Sequence, residues 1–351
     1  MRKPFLILLL SLTLIAPLRA ERTKVAQVGM QFLKIGVGAR AVGMGEACVV
    51  ALDDLSAMFW NPGALAISEA SGVAVYQTNW ICGIKHYAFA GAFDYRKYGT
   101  LGISLIYMDY PTLTATRPPQ SWEIGQPFQI LGEFQILDFA VGVTYSRRVT
   151  NKLSVGVQVK YVYEDLGNSD IILESIPDVE DPTKTAGFKT KNVNNTLGAV
   201  GFDIGTVYYT GLKSLRFGMT VQHFSKDMKY KSVADYQHEP FSMPLTFKIG
   251  MAMEISDLFP QLTNVHQFTL STDLIHPRDY TERIHIGGEY WLKQIIAIRG
   301  GYKFNYDSES LTGGLGVRFG IGRLKAYLDY SMSDFGEYFD NINRINFGVQ
   351  F

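Results

Sequence analysis

The feature that most constrains the fold is an alternation of apolar and polar residues with a period of two. It is clearest over residues 152–163, where every second residue is apolar. The apolar positions are Leu153, Val155, Val157, Val159, Tyr161 and Tyr163. A β-strand places successive side chains on opposite faces, so this segment predicts a strand with one apolar and one polar face.

The same alternation recurs along most of the chain after residue 70. Further apolar series begin at Leu101, Phe139, Leu215, Leu245, Leu311 and Leu324. Together with weaker examples, a first strand near residues 72–80 and a last strand at the C-terminus, they give about fourteen strands. The fold class is therefore predicted to be all-β.

The connections between these strands alternate in length. Short ones fall near residues 96–97, 150–151, 211–212, 293–294 and 320–321. Longer, polar or proline-bearing ones occupy residues 111–132, 165–191, 225–242, 277–281 and 331–341. Outer-membrane barrels have tight turns on the periplasmic rim and long loops outside. A sandwich of two sheets has no reason to sort its loops by side, so the pattern predicts an antiparallel transmembrane β-barrel. Two connections fit less well, because 81–83 is short on the long side and 256–265 is long on the short side.

The N-terminus predicts export. Met1-Arg2-Lys3 precedes an apolar run over residues 5–15, and Ala20 supplies a small residue at the predicted cleavage site, before Glu21. This arrangement is typical of a secretory signal peptide. The apolar run is shorter than the roughly 20 residues that a membrane-spanning helix needs.

The last strand resembles the C-terminal assembly signal of bacterial outer-membrane barrels. It places Phe347, Val349 and the final residue, Phe351, on one face. Tyrosine and phenylalanine also cluster towards strand ends, as in the aromatic girdles at the lipid–water boundary. These features predict a protein of the cell outer membrane that contacts outer-membrane lipid and is assembled by the barrel-assembly machinery.

Composition agrees with a barrel and excludes other classes. The chain has 33 basic and 33 acidic side chains, so no net field attracts nucleic acid. Apolar residues make up 47% of the sequence, with a mean hydropathy near zero. That is low for a helical membrane protein, but barrels place an apolar residue only at every second position. Cys48 and Cys82 are too few to cross-link a chain of this size, and a disulfide between them stays an alternative.

Sequence patterns of soluble enzymes are absent. Gly36-Val37-Gly38 lacks the third glycine of a dinucleotide-binding motif, and no strand precedes it. No serine lies in a nucleophile-elbow context, and the six histidines show no close metal-ligand spacing. We therefore predict no catalytic residue, no metal and no cofactor.

Residues 32–66, ahead of the first strand, differ from the rest of the sequence. They hold a Gly-Ala-Arg run, a Gly-Met-Gly step, paired aspartates and an aromatic-Asn-Pro-Gly step. The residues of this signature are Gly36, Gly38, Arg40, Gly43, Gly45, Asp53, Asp54, Trp60, Asn61, Pro62 and Gly63. Glycine lets backbone approach a wall closely, and Asn-Pro-Gly is a turn signal.

Such irregular backbone suits the inside of a barrel. At membrane depth, backbone outside strands is tolerated only within protein or beside water. We therefore expect Arg40 and the two aspartates to pair with polar residues of the lumen, such as Lys160, Arg299 or Lys325.

The signature resembles the N-terminal region of the PorV/PorQ family of outer-membrane proteins, which are similar to FadL-type barrels. Gly63 departs from the family pattern, in which alanine is more usual. The resemblance implies a barrel whose N-terminal segment folds inward as a plug. The predicted boundaries are residues 1–20 for the signal peptide, 21–70 for the plug and 71–351 for the barrel.

The resemblance implies two alternative functions. In the first, the protein is a non-enzymatic barrel of type IX secretion that handles exported cargo or is attached to the translocon. In the second, it is a FadL-like passive transporter that admits hydrophobic small molecules through its wall or lumen. The signature slightly favours the first, and a purely structural barrel is a third alternative.

Overall fold

A computed structural model of the protein describes residues 28–68, 71–117, 127–177, 185–230, 239–259, 265–322 and 324–351. The predicted signal peptide lies outside these residues. Within them there are sixteen β-strands, of which fourteen close into one antiparallel barrel. The predicted fold class and strand number are confirmed.

The barrel strands follow one another around the ring in chain order. Their bounds are β1 Gly72–Asn79, β2 Lys85–Asp94, β3 Thr100–Asp109, β6 Leu137–Arg148, β7 Leu153–Pro177, β8 Thr185–Tyr209, β9 Arg216–Ser225, β10 Thr246–Glu254, β11 His266–Pro277, β12 Arg283–Leu292, β13 Ile296–Phe304, β14 Leu311–Ile321, β15 Leu324–Ser333 and β16 Ile342–Gln350. The remaining two, β4 Leu113–Arg117 and β5 Gln129–Phe134, form a separate two-stranded sheet, so that β3 pairs directly with β6.

The first and last strands close the ring. Val73 pairs with Val349, and Val75 pairs with Phe347. Beyond the strand, the backbone N–H of Phe351 donates to the carbonyl of Ser71 at 2.9 Å. Closure satisfies backbone groups that lipid cannot hydrogen-bond.

The alternation in sequence separates a lipid-facing from a lumen-facing set of side chains, as predicted. In β7, Val157 is 42% exposed and Val159 is 46% exposed, whereas Gln158 and Lys160 are buried. In β16, Phe347 is exposed and Asn346 is buried in the same way. An outer apolar band around a polar interior is the arrangement of a membrane barrel.

The rims agree with the predicted sorting of connections, with two differences on the long-loop rim. The predicted loop 111–132 contains most of the β4–β5 hairpin, and β7 and β8 continue through most of the predicted loop 165–191. Each of those strands has 25 residues, well beyond the roughly 9–11 that cross a bilayer. A strand outside the bilayer needs no lipid-facing apolar series, which explains why alternation did not reveal these extensions.

Residues 28–68, called here the N-terminal segment, are mostly irregular. They form two short α-helices, α1 (Ala39–Gly43) and α2 (Leu65–Ser68). Three 3-10 helices, Gln31–Lys34, Leu55–Phe59 and Pro62–Ala64, complete the regular structure. Across the described ranges, no helix is both long enough and apolar enough to cross a membrane.

The N-terminal segment shares its apolar clusters with the inner faces of the strands. Val50 belongs to one cluster with Val207, and Phe32 belongs to another with Met108. Cys48 is buried and Cys82 is exposed, and both are free cysteines. The segment is therefore packed against the barrel interior.

Candidate functional site

The N-terminal segment contacts two opposite walls of the barrel. Helix α1 packs against β13, β14, β15 and β16, and the Pro62–Ala64 helix packs against β6, β7 and β8. In the closed ring, six strands separate β7 from β14 in either direction. The signature residues of the sequence thus lie across the lumen rather than along one side of it.

An ionic network fixes the segment to the first wall. The Arg40 guanidinium donates from Nε and Nη2 to the two carboxylate oxygens of Glu289, at 2.8 and 2.6 Å. Its Nη1 donates to Asp54 at 2.9 Å and also to Asp53. Burial alone would lower the pKa of the Arg40 guanidinium, but Asp53, Glu289 and Asp54 together raise it well above its ordinary value. Arg40 is therefore charged and fully paired.

The network continues through the strands. Arg299 donates to Glu289 at 2.6 Å and to Asp329 at 2.7 Å, so it bridges β12, β13 and β15. Asn346 donates to the second oxygen of Asp329 at 2.9 Å and accepts the backbone N–H of Ala39, at the start of α1, at 2.8 Å. Buried charges persist only when they are paired and hydrogen-bonded, and this network meets that condition for Arg40 and Glu289.

The Asn61-Pro62-Gly63 turn fixes the segment to the opposite wall. The Asn61 side chain donates to the carbonyls of Val49 and Thr206, at 2.8 and 3.1 Å, and accepts the N–H of Gly63 at 2.9 Å. Ser154 of β7 donates to the Gly63 carbonyl at 2.6 Å. The turn signal seen in the sequence is thus used to join two parts of the segment to β7 and β8.

Inward-facing glycines of the strands receive the backbone of the segment. A Cβ atom placed at Gly156 would lie 2.3 Å from the carbonyl of Pro62, and one at Gly287 would lie 2.0 Å from the carbonyl of Met44. At Gly301, a Cβ would lie 2.1 Å from the nitrogen of Gly45. Strand glycines at such points mark a close approach of another backbone. These glycines stand inside otherwise regular strands, so the sequence itself carries this signal.

The remaining signature residues determine the backbone conformation of the N-terminal segment between the two walls. Gly38, with a φ of 93°, precedes α1, and Gly45, with a φ of 64°, lies in the turn that follows it. A side chain at Gly36 would meet the Glu46 carboxylate at 2.6 Å. The Trp60 indole donates to the carbonyl of Val37 at 2.9 Å.

Two further contacts were not expected from the sequence. Lys303 of β13 donates to Glu46 at 2.6 Å and also to Glu309. The carboxylate of Asp273 in β11 accepts the backbone N–H groups of Cys48 and Val49, at 2.7 and 2.9 Å. Lumen-facing acidic and basic residues thus hold the segment along its length.

The predicted partners of Arg40, Asp53 and Asp54 were only partly right. Arg299 reaches the network through Glu289, a residue that no sequence pattern marks as a partner of Arg40. Lys160 instead pairs with Asp203 at 2.7 Å and lies 2.7 Å from His223, and the side chain of Lys325 is exposed. Because these partners are far apart in sequence, polarity alone did not distinguish them.

Within the part of the chain that the structure describes, no three His, Cys, Asp or Glu side chains are grouped so as to hold a metal ion. What the arrangement offers chemically is a set of paired charges and hydrogen bonds between a strand wall and an irregular segment.

Phe347 and Phe351, at the predicted assembly signal, are exposed on the outer surface, and Val349 pairs with Val73 across the closure.

The fold and the polar interior define an outer-membrane β-barrel. The chain belongs to the family of the type IX secretion system membrane protein PorP/SprF, whose model matches residues 125–348. The expected relation to type IX secretion barrels is thus confirmed at the family level, and the finer resemblance to PorV/PorQ stays a prediction. In sequence, no curated protein is similar enough to match.

Solved structures resemble the whole barrel. The P. putida toluene transporter TodX has a TM-score of 0.53 at 13% identity, covering 90% of this chain and 97% of that chain. The CymD monoaromatic hydrocarbon channel has a TM-score of 0.51 at 12% identity, with coverage of 90% and 97%. A Pseudomonas aeruginosa FadL homologue has a TM-score of 0.50 at 12% identity, with coverage of 89% and 97%. At these identities the likeness concerns the fold alone.

Proposed function

We propose that this protein is a non-enzymatic outer-membrane barrel of type IX secretion that handles exported cargo or is attached to the translocon while its lumen stays closed. The observation that carries the proposal is the anchoring of the N-terminal segment on two opposite walls, by Arg40 on one side and Asn61 on the other. The family match supports the secretion role. A barrel with a fixed interior is suited to contacts at its rims, such as the β7–β8 hairpin.

The proposal includes the organisation inferred from sequence. Residues 1–20 are removed on export, residues 21–70 act as the plug, as in the PorV/PorQ family, and residues 71–351 form the barrel. Phe347, Val349 and Phe351 are recognised by the barrel-assembly machinery. Mass spectrometry of the mature protein from the outer membrane should find Glu21 at its N-terminus, and a mature chain beginning elsewhere would contradict that boundary.

A FadL-like passive transporter is the second candidate. The observation that favours it is the presence of cavities on both sides of the ionic network. One of about 470 Å³ is lined by Arg40, Arg318 and Tyr327 near the short-turn rim, and another of about 370 Å³ opens towards the long loops. Two of the similar structures named above are those of a monoaromatic hydrocarbon channel and a toluene transporter, which agrees with a route for hydrophobic solutes.

Deletion of residues 32–66 tests the closed lumen directly. We expect the shortened barrel to assemble, as judged by heat-modifiable gel mobility, and to conduct ions in planar bilayers far better than the intact protein. The physical reason is that the deletion removes the side chains that span the two walls. Unchanged conductance in an assembled barrel would contradict the plug.

A second experiment separates secretion from transport. In the bacterium that encodes the protein, loss of the gene should abolish secretion of type IX cargo, and uptake of radiolabelled toluene should be unaffected. The full-length gene should restore secretion. Normal secretion with reduced toluene uptake would instead support the transporter.

A further inference from the structure

A cavity of about 370 Å³ lies between the N-terminal segment and the long-loop rim. Its floor comes from Phe32 and Ile35 of the segment, and its walls include Trp80 and Met108 of the barrel. This volume is in the range of small-molecule sites, which are mostly apolar with a few polar groups that fix the ligand. The cavity is separate from the Arg40 network, which lies towards the opposite rim.

The charged residues around this cavity do not balance. Its lining contains four cationic side chains, Lys34, Arg283, Lys303 and Arg344, and two acidic ones, Glu46 and Glu309. Both carboxylates bond to Lys303, and Lys34 pairs with Asp279 outside the lining. Among the described residues, the two arginines are left without a carboxylate partner.

Arg344 is the more informative of the two. It is 2% exposed, and its guanidinium makes one hydrogen bond, from Nη1 to Ser333 at 2.9 Å, while Nε has no partner among the described residues. A buried cation that bonds directly to no carboxylate is costly. A guanidinium is also the group that best matches a planar carboxylate or a phosphate, through two parallel hydrogen bonds.

Arg283 is held at the same cavity by aromatic rings. Its guanidinium carbon lies 3.9 Å from the ring centre of Tyr306 and 4.6 Å from that of Tyr280. Contacts with the faces of two rings restrict a cation without neutralising it. The Arg344 guanidinium carbon lies 5.9 Å from the ring centre of Trp80, so charge and apolar surface are adjacent.

We propose that this cavity binds a small organic oxyanion, whose carboxylate or phosphate group pairs with Arg344 and Arg283. The apolar part of the ligand packs against Phe32, Trp80 and Met108. This inference does not depend on the secretion role, because it concerns the unpaired charges of a cavity at the outer end of the lumen.

Binding to the full-length protein in detergent micelles tests the site by isothermal titration calorimetry. The probes are benzoate, phenyl phosphate, neutral benzyl alcohol and inorganic phosphate. We expect one of the two aromatic anions to bind at least about tenfold more tightly than benzyl alcohol, since an anion gains charge-assisted hydrogen bonds. Tighter binding of benzoate than of phenyl phosphate identifies a carboxylate as the preferred head group, and the reverse order identifies a phosphate. Comparison with inorganic phosphate shows whether the aromatic ring contributes to the affinity.

Variants locate the binding. Arg344→Gln and Arg283→Gln should each weaken anion binding by about tenfold or more, whereas Lys152→Gln, an exposed lysine on the short-turn rim, should leave it unchanged. If Arg344→Gln does not assemble, Arg283→Gln and the comparison with benzyl alcohol still decide the question. Three outcomes would each overturn the proposal. The first is equal affinity for the anions and for benzyl alcohol, and the second is equal anion affinity of the arginine and lysine variants. The third is the absence of anion binding at concentrations below about 10 mM.

Discussion

The Arg40 guanidinium and the Glu289 carboxylate form a bidentate ion pair across 249 positions of sequence, with N–O distances of 2.8 and 2.6 Å. Both side chains are buried. Glu289 is shared with Arg299, and Arg40 is shared with Asp53 and Asp54. One pair thus joins the irregular N-terminal segment to the regular wall of strands.

Breaking this pair from either side should destabilise the protein. Arg40→Gln removes the cation that Glu289, Asp53 and Asp54 share. Glu289→Gln replaces the bidentate carboxylate partner of Arg40 with a neutral amide. We expect each to reduce the free energy of unfolding by about 3 kcal/mol, because a buried charge loses one of its counter-charges. Urea-induced unfolding from lipid vesicles measures the change.

The double variant tests whether the two residues act through each other. Arg40→Gln combined with Glu289→Gln should cost less than the sum of the single changes, by about 1–3 kcal/mol. Arg318→Gln is the control, because Arg318 is only partly buried and lies 3.5 Å from the exposed Asp53, so its loss should cost less than about 1 kcal/mol. Strict additivity would refute the coupling.

Gly156 should not tolerate a methyl group. Gly156→Ala places a Cβ atom 2.3 Å from the carbonyl group of Pro62, where the obstacle is backbone rather than a mobile side chain. We expect a loss of about 1–3 kcal/mol, as for other overpacked sites, together with a larger conductance as the Asn61-Pro62-Gly63 turn is displaced. Gly300→Ala is the matched change, because in the described structure no atom lies within 4 Å of that Cβ, and it should be neutral.

The lipid-facing position of Val157 predicts a strong penalty for charge. Val157→Arg should impair folding into bilayers, by about 2–4 kcal/mol if the residue lies near the midplane. Asn151→Arg adds the same side chain to an exposed turn at the start of the same strand and should fold normally. Heat-modifiable mobility of the two variants after refolding measures the difference, and similar folded yields would show that this face is not in lipid.

The sequence predicted the strands well because their cause is local. Val157 and Gln158 face lipid and lumen by the geometry of one strand, and every barrel strand repeats that constraint. The extensions of β7 and β8 beyond Asp165 were missed, because a strand outside the bilayer has no lipid-facing side that must be apolar. Local patterning therefore reports on the part of a strand that crosses the membrane.

The interior contacts depend on closure of the ring and were predicted less well. Nothing near Glu289 in the sequence distinguishes it from other polar lumen residues as the partner of Arg40. Gly156 and Gly301 did carry a signal, since glycine inside a strand often marks close backbone approach. That signal indicates where another backbone approaches the wall, and only the structure identifies the approaching residues as Pro62 and Gly45.

Glu46 gives the interior a defined response to acid. Burial alone would raise the pKa of its carboxyl group, but the Lys303 ammonium dominates and lowers it from 4.5 to about 2. A carboxyl group whose pKa is lowered in the folded state stabilises the protein at pH values above the ordinary pKa of that group. That contribution is lost as the pH falls from about 4.5 towards about 2.

Glu46→Gln should therefore be less stable than the intact protein at pH 7, by about 1–3 kcal/mol, and the difference should shrink steadily below pH 4.5. Lys303 keeps Glu309 as a partner in this variant, so the substitution does not leave an isolated buried cation. Urea unfolding of both proteins from vesicles between pH 7 and about 3 measures the difference. Glu337→Gln, which removes a carboxyl group from an exposed loop, should match the intact protein throughout. A Glu46→Gln deficit that stays constant across this pH range would show that the carboxylate charge does not hold the segment to β13.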